Sequence, residues 1–218
     1  MRSALRIVLQ AAMVTLTGLG LWALAQTSDY FQNYPGGFTQ AAYQITSEEV
    51  ENPLTLTLQI EPSSGGQFTV TTTNRVTARR ENLEAAVTNG VAEAQLIIQD
   101  EAVQALLENR RNLRPQASFI LPGGARFTSA DQETITGVSV LCGMLTKPEK
   151  PTQRIFLAIA EDPTLPFPPW VQQEEERSSG GSASSLGVCT SLCSLAQQSG
   201  RRYAILFRLE LLEFERRE

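Results

Sequence analysis

The chain has 218 residues, of which 42% are hydrophobic, so it can bury a core, and its net charge of −5 argues against a nucleic-acid-binding protein. It contains no histidine, which excludes Ser-His-Asp triads, Cys-His pairs and the usual zinc sites. A zinc site built from thiolates alone would need four cysteines, and the chain has three. We therefore predict neither a metal site nor a cofactor.

The N-terminus has the three parts of a secretory signal peptide. Arg2 and Arg6 precede an uncharged, mostly apolar stretch, and Ala-Leu-Ala at 23–25 supplies the small residues that a signal peptidase requires. Residues 7–25 are also just long enough to span a bilayer, so an uncleaved membrane anchor is the alternative. We predict that residues 1–25 are a signal peptide or anchor and that the protein is exported to the periplasm, the cell surface or the extracellular space. Membrane contact is expected only through this segment.

Alternating apolar and polar residues predict β-strands after the signal segment. Leucine or isoleucine occupies every second position over residues 54–60, and a second alternating run starts at Phe68. The Pro-Ser-Ser-Gly-Gly sequence at 62–66 between them is typical of a turn. Together these residues predict a β-hairpin with one buried face, and residues 38–46 predict a further strand.

The apolar period changes to three and four between residues 79 and 112. Leu83 and Val87 indicate a first short helix, and the apolar residues over 103–107 indicate a second. Asp100 is the predicted N-cap of the second helix. The apolar residues between the two helices are compatible with a buried strand as an alternative.

Strand patterns return in the second half of the chain. Residues 119–121 run into Pro-Gly-Gly at 122–124, which predicts a turn with positive φ angles. Apolar residues then share one face of a strand over 138–144, and Gly137 before them predicts a β-bulge. Residues 155–159 open another strand.

The last predicted strand covers residues 203–218, with a change of phase at Leu211-Leu212. Before it, residues 162–200 are rich in proline, glycine and serine and are assigned to a loop-rich excursion. The predicted fold is therefore α+β and β-rich, with a mainly antiparallel sheet that is sandwich- or half-barrel-like, two short inserted helices and this excursion. Residues 26–218 are predicted to form one domain.

Within the excursion, Leu165, Phe167 and Trp170 lie in a proline-rich stretch. Two hypotheses fit these residues. Prolines preset an extended conformation, so the segment is a candidate interaction element whose aromatic side chains dock on a partner. Alternatively, Phe167 and Trp170 fold back and cover the domain's own sheet.

The three cysteines, Cys142, Cys189 and Cys193, are disulfide candidates, because an exported protein meets an oxidising compartment. A bridge between Cys189 and Cys193 closes a small loop and is favoured because these residues are close together in any fold. A bridge from Cys142 to either of them would close a much longer loop and stabilise the fold more, by roughly 4 kcal/mol.

No spacing in the chain pairs carboxylates for acid–base catalysis, and no glycine-rich phosphate loop is present, so no catalytic residue is predicted. We predict an exported, non-catalytic cell-envelope protein that acts as a structural or protein-interaction module. A periplasmic carrier of an apolar, lipid-like ligand is one alternative, and a hydrolase that lacks histidine is another. The expected partner is an envelope protein or an apolar small molecule.

Overall fold

The structure is a computed structural model that describes residues 34–48, 52–82, 99–165, 167–177 and 202–217. In these ranges the chain forms nine strands and one α-helix. In chain order the elements are β1 (Phe38–Ser47), β2 (Leu54–Pro62), β3 (Phe68–Val76), α1 (Glu101–Glu108), β4 (Ser118–Ile120), β5 (Arg126–Ile135), β6 (Val138–Thr146), β7 (Gln153–Ala160), β8 (Trp170–Glu176) and β9 (Tyr203–Arg217).

The nine strands belong to one sheet in which each neighbouring pair is antiparallel. The strand order is β3-β2-β1-β9-β8-β7-β6-β5-β4. Most neighbours are consecutive along the chain, as short connections favour, but β9 lies between β1 and β8 and joins two halves of the sheet. The prediction of a β-rich, mainly antiparallel fold is confirmed.

Side-chain alternation explains how β1 and β2 contribute to the core. Tyr43 lies opposite Leu56 and Ile45 lies opposite Leu54, and these four side chains are buried. The predicted hairpin of β2 and β3 is present, but its buried face does not extend to β3. Eight of the nine residues of β3 are exposed and the ninth is partly exposed. Its threonines favour the strand conformation without adding apolar surface to the core.

Helix α1 begins where the sequence predicts. The carboxylate of Asp100 accepts hydrogen bonds from the backbone N–H groups of Ala102 and Val103, at 3.1 and 3.4 Å. This N-cap satisfies two of the donors that the first turn of a helix leaves unpaired. Lys147 forms an ion pair with the same carboxylate, so the cap also ties the helix to the end of β6. Four of the five apolar side chains of the helix, all except that of Ala105, are buried in the core.

Several predictions fall outside the described residues. These are the signal peptide or anchor over 1–25, the first helix around Leu83 and Val87, and the cysteines Cys189 and Cys193. Helix α1 has eight residues, and none of the helices in the described ranges has the length and apolarity to cross a bilayer.

The predicted bulge at Gly137 is wrong, because this glycine lies in the turn between β5 and β6. Thr136 and Gly137 have φ angles of 51° and 80°, the positive values that a two-residue hairpin turn requires. The Thr136 hydroxyl donates to the carbonyl oxygen of Leu211 at 3.1 Å, which holds this β-branched residue in an unfavourable conformation. The bulge of this hairpin instead lies between Ser129 and Gln132. It breaks the alternation of β5, and for that reason the sequence does not reveal β5.

An aromatic ring occupies the space above Gly143 in β6. Gly143 lies opposite Ser129 of β5, and a Cβ atom on this glycine would collide with the ring of Phe127. Phe127 is fully buried. The glycine therefore lets the ring lie against the strand, and a larger residue at this position would displace the ring from the core.

Strand β8 is a correction to the predicted excursion over 162–200, because it lies inside that range. Only Trp170 and Val171, at its start, are apolar, and the rest of the strand is polar or charged. Gln172 and Glu174 are nevertheless fully buried. Polar partners on β7 and β9 make this burial favourable, and such long-range partners are not visible in the local pattern.

Strand β9 confirms the predicted change of phase at Leu211-Leu212. Leu211 lies opposite Tyr43 and Glu213 lies opposite Ala42, so Leu212 is the extra residue of a β-bulge. The bulge exchanges the faces of the strand and keeps Leu211 buried while Leu212 is exposed.

Candidate interaction surface

Strand β3 forms one edge of the sheet, and β2 is its only strand neighbour among the described residues. Phe68 and Val70 are 43% and 59% exposed, which is high for apolar side chains. Arg75 is the only charged residue of the strand. The strand therefore presents nine residues, most of them threonine or apolar, with one edge of backbone N–H and C=O groups unpaired by the described chain. We call β3 the free edge.

The opposite edge of the sheet is protected in a way that the free edge is not. Strand β4 has only three residues, and a short edge strand offers few backbone groups to another chain. Its one large exposed apolar side chain is Ile120, which is 79% exposed. Neither a run of charges nor a proline interrupts the free edge, although such residues are how natural sheets discourage pairing with other chains.

Local contacts fix the position of the free edge. The turn between β2 and β3 contains Gly65 and Gly66 with φ angles of 71° and 75°, and the N–H of Ser63 donates to the carbonyl oxygen of Gln67 at 2.8 Å. Register is continuous over all nine residues of β3, with no bulge to twist the strand away from an incoming chain. The free edge is thus regular and preformed.

A second candidate is a chain of polar side chains across β7, β8 and β9. Nε of Arg154 donates to Oε2 of Glu174 at 2.8 Å, and Nη2 of Arg154 lies 2.7 Å from the same oxygen. Nε2 of Gln172 donates to Oε1 of Glu174 at 2.6 Å, and Nε of Arg208 donates to Oε1 of Gln172 at 2.8 Å. We call these four residues the ionic cluster.

Aromatic rings enclose the cationic end of the ionic cluster. Cζ of Arg154 lies 3.5 Å from the ring centroid of Tyr203 and 5.0 Å from that of Phe156. Glu174 has no exposed surface, and each of its two oxygens accepts a hydrogen bond from inside the protein. Because these polar atoms are already engaged and buried, the cluster fits a structural role better than a catalytic one.

The proline-rich segment packs against its own domain. Leu165 and Trp170 are fully buried and Phe167 is half-buried. The Tyr43 hydroxyl donates to the carbonyl oxygen of Phe167 at 3.1 Å, and the two rings meet edge to face with centroids 5.6 Å apart. The ring of Trp170 lies 6.5 Å from that of Phe156. This geometry favours folding back onto the sheet over docking to a partner.

The cysteine that the structure describes, Cys142, is fully buried in β6, where it lies opposite Ala158 of β7. Its sulfur is not a free thiol. As predicted from the sequence, Cys142 shares a face with Val138, Val140 and Met144, because alternate residues of a strand point the same way.

The described carboxylates do not converge on a catalytic or metal site. Asp100 is engaged by Lys147 and by the helix N-terminus, while Asp131 and Asp162 hydrogen-bond to neighbouring side chains. Within the described ranges, no three cysteine, aspartate or glutamate side chains lie close enough to hold a metal ion.

Comparison with known proteins adds no functional assignment: no family model and no curated protein matches the chain. Any functional interpretation of the free edge and the ionic cluster therefore depends on their geometry alone.

Sequence reasoning missed both features for different reasons. In β3 one face is entirely polar and the other carries Thr72 and Asn74 among its apolar residues, which is a weaker apolar pattern than the unbroken leucines and isoleucine of β2. The ionic cluster left no local sign, because Arg154 and Glu174 come from separate strands and lie opposite each other only in the folded sheet.

Proposed function

We propose that this protein is an exported, non-catalytic interaction module of the cell envelope and that it binds partners by adding a strand to its free edge. The observation that supports this proposal is the exposure of β3 along its whole length at the end of the sheet. An extended polypeptide laid beside such a strand gains a ladder of main-chain hydrogen bonds. Affinity then comes from the backbone, and side-chain fit at alternate positions supplies specificity.

The chemistry of the free edge supports binding of polypeptide. Phe68, Val70, Thr72, Asn74 and Val76 share one face because they alternate along the strand. An incoming strand would cover the two exposed apolar side chains at one end of this face. Thr69, Thr71 and Thr73 on the other face offer cross-strand pairs with β-branched or threonine side chains.

Export is supported by the state of Cys142. We infer that Cys142 forms a disulfide with Cys189 or Cys193, because its sulfur is bonded and it is too deeply buried to reach another molecule. A chain with three cysteines can form one internal bridge, so this inference favours the long bridge over the local Cys189–Cys193 bridge. Structural disulfides form in oxidising compartments, which agrees with the signal-like N-terminus.

Peptide mapping of the non-reduced protein tests the disulfide. We expect a cross-linked pair of peptides that contains Cys142 together with either Cys189 or Cys193, and reduction should separate the pair. The cost of reduction should be about 4 kcal/mol of folding stability, because the bridge closes a loop of nearly fifty residues. Recovery of an intact Cys189–Cys193 bridge with an alkylated Cys142 would contradict the inference.

Immobilised nine-residue peptides with alternating threonine and valine test strand addition. The variants Thr71→Pro and Thr72→Pro remove the N–H groups of adjacent residues, which point to opposite edges of a strand. One variant should lose a hydrogen bond to β2 and unfold at lower temperature. The other should keep its Tm within a few degrees and bind the peptides at least tenfold more weakly than the unmodified protein.

Peptides N-methylated at alternate residues are the matched control, because they keep the side chains but lose the main-chain donors. Strand addition would be ruled out if immobilised methylated and unmethylated peptides retained the protein equally. It would also be ruled out if the unmodified protein and both proline variants bound the peptides equally. The carrier of an apolar ligand and the hydrolase without histidine stay predictions from the sequence, and no contact among the described residues favours either.

A further inference from the structure

We propose that the strand that pairs with the free edge comes from a second copy of this chain, so that two β3 strands pair antiparallel about a two-fold axis. This inference rests on the proposed mode of strand addition and names its partner. The symmetric register places Thr72 opposite Thr72 of the second copy. The two nine-stranded sheets would then form one continuous sheet.

The sequence of β3 is complementary to itself in this register. Phe68 lies opposite Val76 of the second copy, Val70 lies opposite Asn74, and Thr71 lies opposite Thr73. Aromatic and β-branched residues pair favourably across antiparallel strands, as do two threonines. The exposed faces of Phe68 and Val70 gain cover from the neighbouring strand, which removes apolar surface from water.

The charge of β3 also permits self-pairing. Arg75 is the only charged residue of the strand, and in the symmetric register it lies opposite Thr69. The two Arg75 residues are then six positions apart, about 20 Å at ~3.3 Å per residue, which exceeds the ~8 Å screening length at physiological salt. Like-charge repulsion, the usual means by which edge strands avoid each other, is therefore weak here.

Two-fold pairing also ends the assembly at two copies. In an isologous contact the free edges of both copies pair with each other. The outer edge of each copy is then β4, which has three residues. A closed dimer follows, whereas a head-to-tail contact would continue into fibres. Because a single pair of strands buries little surface, we expect reversible, concentration-dependent association.

Sedimentation equilibrium of the full chain under non-reducing conditions tests this proposal. The unmodified protein should pass from monomer to dimer as its concentration rises. Thr72→Lys and Thr72→Glu each place two like charges face to face at the symmetry axis, so each variant should associate at least tenfold more weakly. An equimolar mixture of the two variants should regain the dimer, because lysine then faces glutamate.

Ile120→Lys is the matched control, since it adds the same charge to an exposed residue at the opposite edge and should leave association unchanged. Circular dichroism melts establish that each variant is folded before it is compared. A protein that stays monomeric at the highest concentration overturns the β3 dimer, whereas the peptide experiment decides strand addition independently. Two monomeric variants whose mixture also stays monomeric would overturn the symmetric register, and species larger than two would overturn closure.

Discussion

Replacement of Glu174 by leucine is expected to destabilise the protein by about 3–5 kcal/mol, because it removes the buried carboxylate that Nε and Nη2 of Arg154 contact. Chemical denaturation would measure the loss as a lower midpoint with an unchanged slope. Glu174 has no exposed surface, so water cannot take over the role of the carboxylate. The double variant Arg154→Met/Glu174→Leu removes both charges and should recover much of the loss.

The ion pair of Glu48 and Arg177 offers a matched control on the surface. Nη2 of Arg177 donates to both oxygens of Glu48, at 2.6 and 2.7 Å, but the two side chains are 41% and 44% exposed. Solvent screens such a pair, so Glu48→Leu should cost at most about 1 kcal/mol. A loss at Glu174 no greater than the loss at Glu48 would show that the ionic cluster does not stabilise the sheet.

Deletion of residues 203–218 is expected to abolish cooperative folding. Strand β9 pairs with both β1 and β8, so its removal separates β1 to β3 from the rest of the sheet. It also removes Phe207, Leu209 and Leu211 from the core. Thermal unfolding followed by near- and far-ultraviolet circular dichroism should show no sharp transition in the truncated protein.

A shorter deletion, of residues 216–218, controls for the loss of the chain end. It removes the exposed Arg216 and Arg217 and leaves the part of β9 that pairs with β8 intact. This variant should unfold cooperatively with a modestly lower Tm. If the longer truncation unfolded with the same sharp transition, β9 would not hold the two halves of the sheet together.

The sequence predicts those parts of the fold that short-range chemistry determines. Asp100 was recognisable as an N-cap because the residues that it caps follow it directly. The change of phase at Leu211-Leu212 was recognisable because a bulge shifts the alternation within one strand. The hairpin of β2 and β3 was recognisable from two alternating runs and the turn between them.

Features that depend on which strands become neighbours were not predictable in this way. No residue near Glu174 in the sequence indicates that Arg154 will lie opposite it. The sequence of the buried strand β8 is therefore indistinguishable from that of a charged segment exposed to solvent. The bulge after Ser129 concealed β5 by breaking its period. Likewise, β3 was predicted as a strand, but its place at the edge of the sheet depends on the pairing of eight other strands.

The central position of β9 has a consequence for the order of events in folding. Strands β1 and β2 can pair soon after they leave the ribosome. The pairing of β1 with β9 comes much later, because Phe38 pairs with Arg217 and Ser47 pairs with Phe207. Contacts so distant in sequence cost the most loop entropy and form slowly. The sheet therefore cannot be completed before β9 has been synthesised. Such a delay is compatible with the proposed export, in which the chain would cross a membrane before it folds.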